Sequence, residues 1–219
     1  MKKLFLLSLL CLSPLTLFAC NNAGDLEDNI SEITKVYYKG ADENQSVQAS
    51  ISIGQREDPY KIDGYHEKLC DFSLFAINFN QQLENQQITV NLTINNSLQE
   101  FTMYLNPVNH YYMADLGYLL GENDQITITY QDYHINFYNV SKDFNIDWSQ
   151  ALNIAKENLK EELVDFYDGN NLLGECYLKI LTEQKGNFED LFWYFSVTGQ
   201  NNEVLNIVIS VESGEVLVE

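Results

Sequence analysis

The feature that most constrains the fold is a short stretch in which apolar and polar side chains alternate. Residues 87–95 read QITVNLTIN. The apolar members stand at every second position: Ile88, Val90, Leu92 and Ile94. Successive side chains of a strand point to opposite faces, so this pattern indicates a strand with one buried and one wet face. Antiparallel sheets provide that environment, and the chain is therefore expected to build one.

Other stretches before residue 140 alternate in the same way or are rich in β-branched and aromatic residues. They read VQASISI, FSLFAINF, LQEFTMYL, QITITY and YHINFYNV. Turn-forming pairs, among them Asn95-Asn96 and Gln131-Asp132, stand between them. About six to eight short strands with such turns are typical of two packed sheets. We therefore predict an antiparallel β-sandwich with an immunoglobulin-like layout over residues 33–140.

The hydrophobic period changes at Asp143. Asp147 is suited to cap a helix, and Gln150 would complete a capping box. Apolar residues then recur at steps of three and four from Trp148 to Phe166, as the buried stripe of a helix requires. Four strand patterns follow at residues 175–182, 191–198, 204–211 and 215–218. One helix laid on four antiparallel strands would form an α+β domain over residues 143–219.

This C-terminal region is similar to the PepSY domain pattern. Three features match, namely Ala151, Ile154 and Ala155 in the helix, the aromatic strand WYFSV at 193–197, and the closing turn SGEV at 213–216. The pattern prefers Asp and Thr where this chain has Glu212 and Ser213. The resemblance implies a one-helix, four-strand antiparallel PepSY-like domain. The family occurs in propeptides of thermolysin-like metallopeptidases and in cell-surface proteins, so the resemblance also implies a binding module that acts on a peptidase or on another envelope protein.

The first twenty residues carry a targeting signal. Lys2 and Lys3 precede an almost wholly apolar run at residues 4–18, which is short for a membrane span. The run ends in Leu-Phe-Ala-Cys, with the cysteine at position 20. This ending resembles the lipobox of bacterial lipoproteins, although an ordinary secretory signal with an incidental cysteine is the alternative.

The lipobox resemblance has three implications for the start of the chain. Residues 1–19 would be a lipoprotein signal peptide that is removed. Cys20 would carry the lipid and anchor the protein to the extracytoplasmic face of the bacterial membrane. Residues 20–32, which are polar and acidic, would then form a tether between the membrane and the folded part.

The charge of the chain limits its partners. Asp and Glu number 32 against 12 Lys and Arg, and the formal net charge is −20. Such a surface repels nucleic acids and anionic lipid head groups, so we expect neither as a partner. It would attract a basic protein face, a cationic peptide or divalent cations, although solubility at the cell surface is the simpler explanation.

The cysteines leave one question open. Cys11 would be removed with the signal peptide and Cys20 would be lipidated, so Cys70 and Cys176 remain. In an exported protein this pair could form a disulfide. The alternative is that both are buried separately as small apolar side chains.

No motif in the sequence assembles a reaction centre. A nucleophile elbow, a phosphate loop and a zinc-binding helix are all missing, so we expect no enzyme, no catalytic residues, no metal site and no cofactor. Weak calcium binding stays open for GEND at 121–124 and for the acidic stretch at 165–175.

Two hypotheses for function follow. The first is a non-enzymatic, membrane-anchored lipoprotein that binds a protein partner at the cell envelope, with a peptidase as a candidate. The second is a small-ligand or glycan-binding lipoprotein that uses tyrosines in NHYYMADLGY and YQDYHINFY, unless these only stabilise the sheet. An exposed aromatic patch on the C-terminal sheet or at the domain junction would favour the first, and one in a cleft of the first domain would favour the second.

Overall fold

The structure, a computed structural model, describes residues 26–59, 68–81, 83–169, 171–182 and 191–218. The first eight strands are β1 (Glu32–Ala41), β2 (Val47–Glu57), β3 (Leu69–Phe79), β4 (Gln87–Ile94), β5 (Ser97–Leu105), β6 (Tyr112–Asp115), β7 (Ile126–Tyr130) and β8 (Tyr133–Asn139). The later strands are β9 (Tyr167–Asp168), β10 (Asn171–Leu172), β11 (Gly174–Thr182), β12 (Leu191–Gly199), β13 (Val204–Ser210) and β14 (Val216–Val218). The helices are α1 (Trp148–Asn158) and α2 (Lys160–Leu163), with 3-10 turns at Leu26–Asn29, Val140–Asp143 and Val164–Phe166.

Within these ranges, no helix has the length and apolar content needed to cross a membrane.

Eight antiparallel strands close into a barrel. Their order is β1-β2-β3-β6-β5-β4-β7-β8, and β8 pairs again with β1. The predicted sandwich with an immunoglobulin-like layout is therefore wrong. Alternating side chains require one buried face per strand, which a closed barrel supplies as well as two packed sheets do. What distinguishes the two architectures is the pairing of β1 with β8, which local alternation does not encode.

The barrel interior is packed with apolar side chains. Its buried members are Tyr38, Val47, Ala49, Ile51, Ile53, Phe75, Ile77, Ile88, Val90, Leu92, Met103, Tyr112, Leu120, Ile126, Ile128 and Ile135. Because β3 pairs with β6 and β4 pairs with β7, the chain must cross the barrel twice. Leu83, after β3, and Leu120, after β6, pack against the interior from these two crossings. We call all the apolar side chains that fill the barrel interior the barrel core.

Strand β1 connects the barrel to the C-terminal strands. Its last four residues pair with β8, whereas Glu32 and Ile33 pair in parallel with Tyr177 and Leu178 of β11. Strands β11 to β14 form an antiparallel meander beyond that junction, so one sheet of twelve strands runs through the molecule. The expected self-contained PepSY-like α+β domain is therefore wrong. The first strand of the meander depends on β1, which comes from the other end of the sequence.

The local elements of this C-terminal part follow the sequence pattern only in part, because the predicted helix over 148–166 is divided at Leu159 into α1, α2 and a 3-10 turn. The Asp147 side chain accepts the backbone N–H of Gln150, and the Gln150 side chain accepts the backbone N–H of Asp147, which confirms the capping box. The four predicted strands are present as β11 to β14. In the barrel, Asn95 and Asn96 both have positive φ, 48° and 68°, as the tight turn between β4 and β5 requires. Local chemistry was therefore predicted well where the assembly was not.

A second hydrophobic cluster lies between α1 and the meander. We call it the helix-side core, and it includes Ala151, Leu152, Ala155, Leu178, Trp193, Phe195, Ile207 and Ile209. Residues before β1 also belong to it, because Leu26 and Ile30 are buried there. The described end of the predicted tether at residues 20–32 is thus part of the packed structure. The division into units at 33–140 and 143–219 stays a prediction, and the two cores share β1.

A bulge in β1 marks the point where the strand changes partners. The register with β2 shifts between Thr34 and Val36, directly after the two residues that pair with β11. Gly54 of β2 lies opposite, and a Cβ placed on it would lie 1.8 Å from the carbonyl oxygen of Ile33. Only glycine allows the two backbones to approach this closely.

We expect Gly54→Ala to destabilise the protein by about 1–3 kcal/mol, because the added methyl group forces the two strands apart. The measurement is the urea midpoint followed by circular dichroism. Ser52→Ala, on the same strand and half-exposed, is the matched control and should change the free energy of unfolding by less than about 0.5 kcal/mol. Equal midpoints for the two variants would contradict the close contact.

Candidate functional site

The residues that the sequence singled out for modification do not come together. Cys20 and the signal peptide at 1–19 lie outside the described residues. Cys70 and Cys176 are free thiols, so the suggested disulfide is not formed. Cys70 lies on β3 and Cys176 on β11, with β1 and β2 between them in the sheet. Three strand spacings are about 14 Å, whereas a disulfide needs Cα atoms less than about 7 Å apart.

Several of the predicted ligand-binding tyrosines instead close one end of the barrel. The Phe79 ring is surrounded by the rings of Tyr112, Tyr130 and Tyr133 at centroid distances of 5.8, 5.5 and 5.8 Å. All three pairs meet edge to face, which is the favoured geometry for aromatic rings. These tyrosines stabilise the sheet and are not available as a binding surface.

Among the residues that the structure describes, three tyrosines are exposed, and all three belong to the barrel part of the chain. They are Tyr104, Tyr118 and Tyr138. Tyr138 is 56% exposed and lines a cleft of about 350 Å³. Within the described ranges, the most exposed aromatic residues are therefore in the barrel, and one of them lines a cleft there.

The cleft arises because β8 changes partners along its length. Residues 133–136 pair with β7, whereas residues 136–139 pair with β1, so only Asn136 pairs on both sides. Beyond Asn136 the chain before β7 diverges from β8, and the cleft opens between them. Outward-facing Asn136 and Tyr138 line it from β8, with Thr127 from β7. We call this opening the Tyr138 cleft.

The opposite wall of the Tyr138 cleft is a loop held rigidly by its own polar groups. The Asp124 carboxylate accepts the backbone N–H of Gly121 at 2.7 Å and the Asn95 side-chain amide at 2.7 Å. From inside the barrel, the Tyr38 hydroxyl donates to the Gly121 carbonyl at 2.8 Å. Burial, and then the charge of Asp124, raise the pKa of that Tyr38 hydroxyl. The loop is thus fixed before any ligand arrives.

The 3-10 turn that follows β8, Val140–Asp143, forms another part of the rim of the Tyr138 cleft. Lys142 Nζ donates to Asn123 Oδ1 at 2.7 Å and so bridges the two walls of the cleft. The Tyr138 hydroxyl donates to Asp143 at 3.2 Å, and this hydrogen bond raises the pKa of Tyr138. The bond holds the tyrosine by its hydroxyl while the ring remains exposed.

A second cleft of about 320 Å³ lies on the other side of β8, where β1 has ended. It is lined by Ala41, Asp42, Glu43, Asn44, Asp132, His134 and Asn136. Asp42 shapes the turn between β1 and β2, because its carboxylate accepts the backbone N–H groups of Val47 and Asn44. We call this opening the Asn44 cleft. Asn136 lines both clefts.

The stretches considered for calcium do not gather ligands. Both carboxylate oxygens of Asp124 accept hydrogen bonds from the protein, so that side chain is occupied with holding its loop. In the part of the chain that the structure describes, no three His, Cys, Asp or Glu side chains are grouped as a metal ion would need.

Sequence reasoning identified only part of this arrangement. The stretch YQDYHINFY was singled out for its tyrosines, and one of its segments does contribute the outward row His134, Asn136 and Tyr138. Lys142 was missed, and Asn123 was considered only as part of the GEND stretch for calcium, because the two come from separate turns that only the fold brings together. The alternation in YHINFYN was the signal that could have identified Asn136 as a neighbour of Tyr138 on one face.

Comparison with protein-family models, with curated proteins and with solved structures gave no match.

The two free cysteines should differ sharply in reactivity. Cys176 is fully buried, and burial raises the pKa of its thiol, so the reactive thiolate is suppressed. Cys70 is only half-buried. We expect a maleimide to label Cys70 in the folded protein and to label Cys176 only after denaturation, as read by peptide mass spectrometry. Equal labelling of both in the folded protein would contradict the packing around Cys176.

Proposed function

We propose that this protein is a non-enzymatic, lipid-anchored extracytoplasmic lipoprotein whose barrel binds a carbohydrate in the Tyr138 cleft. The single observation that carries the proposal is an exposed tyrosine ring beside a set of neutral amide side chains. The lining amides are Asn123, Gln125, Asn136 and Asn139. The anchoring part of the proposal rests on the lipobox resemblance at Cys20.

The chemistry of the cleft suits a sugar. A carboxamide both donates and accepts hydrogen bonds, as a sugar hydroxyl does, so the two can pair in either direction. The C–H face of a sugar ring is apolar and can pack on an aromatic ring. Tyr138 offers such a ring, and Asn136 and Asn123 line the same cleft. An open cleft with a mixed polar and apolar lining also suits a ligand that keeps part of its hydration.

Charge narrows the class of sugar. Glu122 and Asp124 line the cleft and Asp143 bonds to Tyr138, whereas the cation in the lining, Lys142, is bonded to Asn123. A second cation, Lys39 of β1, pairs with Tyr138 in the sheet, so acidic groups outnumber basic ones around the ring by three to two. The whole chain carries a formal charge of −20. An anionic glycan would be repelled by this field, so the proposed ligand is uncharged.

A protein partner at the envelope is the second candidate function. Three aliphatic side chains are exposed on the C-terminal meander, namely Leu181, Val204 and Leu217. Exposed apolar side chains on one sheet are a common feature of protein contacts. The peptidase version of this idea depended on the PepSY resemblance, and it is not proposed for this fold. Recovery of an envelope protein through residues 143–219, without binding of any sugar, would favour this candidate.

Binding of a neutral disaccharide provides the test of the carbohydrate site. We expect cellobiose or diacetylchitobiose to bind the protein in isothermal titration calorimetry, and Tyr138→Ala to weaken that binding by about tenfold, because the stacking surface is lost. Tyr138→Phe keeps the ring and should bind nearly as well as the native protein.

The matched control is Tyr104→Ala, which removes a tyrosine that is 61% exposed on the outer face of β5. Since β5 is remote from β8 around the barrel, this variant should leave sugar binding unchanged. Equal losses in Tyr104→Ala and Tyr138→Ala would contradict a site at the cleft.

The anchoring proposal predicts that the mature protein partitions into detergent with the membrane fraction. Cys20→Ala should abolish lipidation and move the protein to the aqueous phase, because the acyl chains on Cys20 supply the membrane affinity. Phase partitioning and intact mass spectrometry measure the two effects. Cys70→Ala is the control that should leave partitioning unchanged, and an unmodified Cys20 in the native protein would disprove the anchor.

A further inference from the structure

We infer that the Tyr138 cleft and the Asn44 cleft are two halves of one groove that binds a linear, uncharged oligosaccharide across strand β8. This inference rests on the proposed carbohydrate function and extends it from a single cleft to an extended ligand. Asn136 is the residue at which the two halves meet.

The continuity of the groove follows from the partner change of β8. One cleft opens where β7 has separated from β8, and the other opens where β1 has ended. The two openings therefore lie on opposite edges of the same strand, and a ligand that occupies both must cross β8 at Asn136. From His134 to Tyr138 the strand spans about 13 Å at roughly 3.3 Å per residue. That distance exceeds one sugar ring and suits an extended chain of several.

Both ends of the groove are rigid in the free protein. At the Tyr138 end, Asp124 and Asn95 hold the loop through reciprocal hydrogen bonds, since the Asn95 side chain also accepts the backbone N–H of Gln125 at 2.9 Å. At the Asn44 end, the buried Asp42 carboxylate holds the turn by accepting the backbone N–H of Val47 at 2.7 Å. Because these segments are already held in place, the protein loses little conformational entropy when the ligand binds.

The middle of the groove displays neutral polar groups. Asn136 Oδ1 accepts the Thr127 hydroxyl at 2.9 Å, and the Asn136 amide nitrogen takes no part in that bond. His134 contacts the Thr129 hydroxyl at 3.2 Å in the same outward row. These groups can pair with sugar hydroxyls along the crossing.

The short unpaired edges of β8 favour a sugar chain over a peptide, and the exposed carboxylates along the groove favour an uncharged one. A peptide commonly binds a sheet by adding a strand along an open edge. On each side of Asn136, only three residues of β8 lack a ladder partner, 133–135 on one edge and 137–139 on the other. Each edge is shorter than the usual strand of about five to six residues, so it offers an added strand few hydrogen bonds. Glu43, Asp132 and Glu122 are exposed along the groove and disfavour anionic chains.

The experiment compares oligomers of different length on the full-length protein in detergent. The probes are the dimers and tetramers of β-1,4-linked glucose and N-acetylglucosamine, which are straight and uncharged, with tetragalacturonate as the anionic comparison. We expect a tetramer to bind about tenfold or more tightly than its dimer, because it gains the hydrogen bonds of the second cleft. Tetragalacturonate should bind at least about tenfold more weakly than either neutral tetramer.

Two variants separate the halves of the groove. Asn44→Ala should weaken the tetramer by about fivefold and leave the dimer unchanged, since the dimer is held by the Tyr138 cleft. Asn136→Ala should weaken both, because Asn136 contributes to each half. Glu100→Gln, exposed on β5 and remote from β8 around the barrel, is the control that should change neither.

The outcomes distinguish the extended groove from the carbohydrate site at Tyr138 on which it depends. If the tetramer and dimer bind equally and Asn44→Ala has no effect, the groove is disproved while the carbohydrate site at Tyr138 stands. If no neutral oligomer binds the native protein, both are disproved. If tetragalacturonate binds as tightly as the neutral tetramers, the restriction to uncharged ligands is wrong.

Discussion

The structure depends on the double pairing of strand β1. Its last residues close the barrel against β8, and its first residues accept β11 in parallel. A single strand can serve both because a bulge at Thr34–Val36 redirects it, and because Gly54 lets its backbone come within contact of β2 at that point. The barrel core and the helix-side core are therefore built on one strand, and neither the barrel nor the C-terminal meander is complete without it.

The sequence predicted those parts of the fold that local chemistry determines. The Asp147–Gln150 capping box, the Asn95-Asn96 turn and the alternation over residues 87–95 each depend on neighbours a few residues away. Barrel closure and the β1–β11 pairing join residues that are far apart in the chain, and no local pattern records them. The sandwich and the separate α+β domain were wrong for this reason, since both satisfy the same local patterns.

The candidate site was predictable to a similar extent. A tyrosine-rich stretch indicated the right strand, but composition could not tell Tyr133, which packs on Phe79, from Tyr138, which faces the cleft. The two lie an odd number of residues apart, so they fall on opposite faces of β8, and only the alternation along the strand separates them. The rim residues Asn123 and Lys142 come from different turns and meet only after that exchange. The geometry of the site therefore depends on which residues of β8 pair with β7 and which pair with β1.

The parallel pairing of β1 with β11 also determines which contacts can form early in folding and which must form late. During synthesis the barrel strands emerge first, and β1 can pair with β2 and β8 before residue 174 exists. The start of β1, with Ile30 and Ile33, must then wait for β11 and α1 before its apolar side chains are covered. Contacts between distant parts of a chain form slowly. The N-terminal end of the folded part is therefore expected to be the last segment protected from hydrogen exchange during refolding.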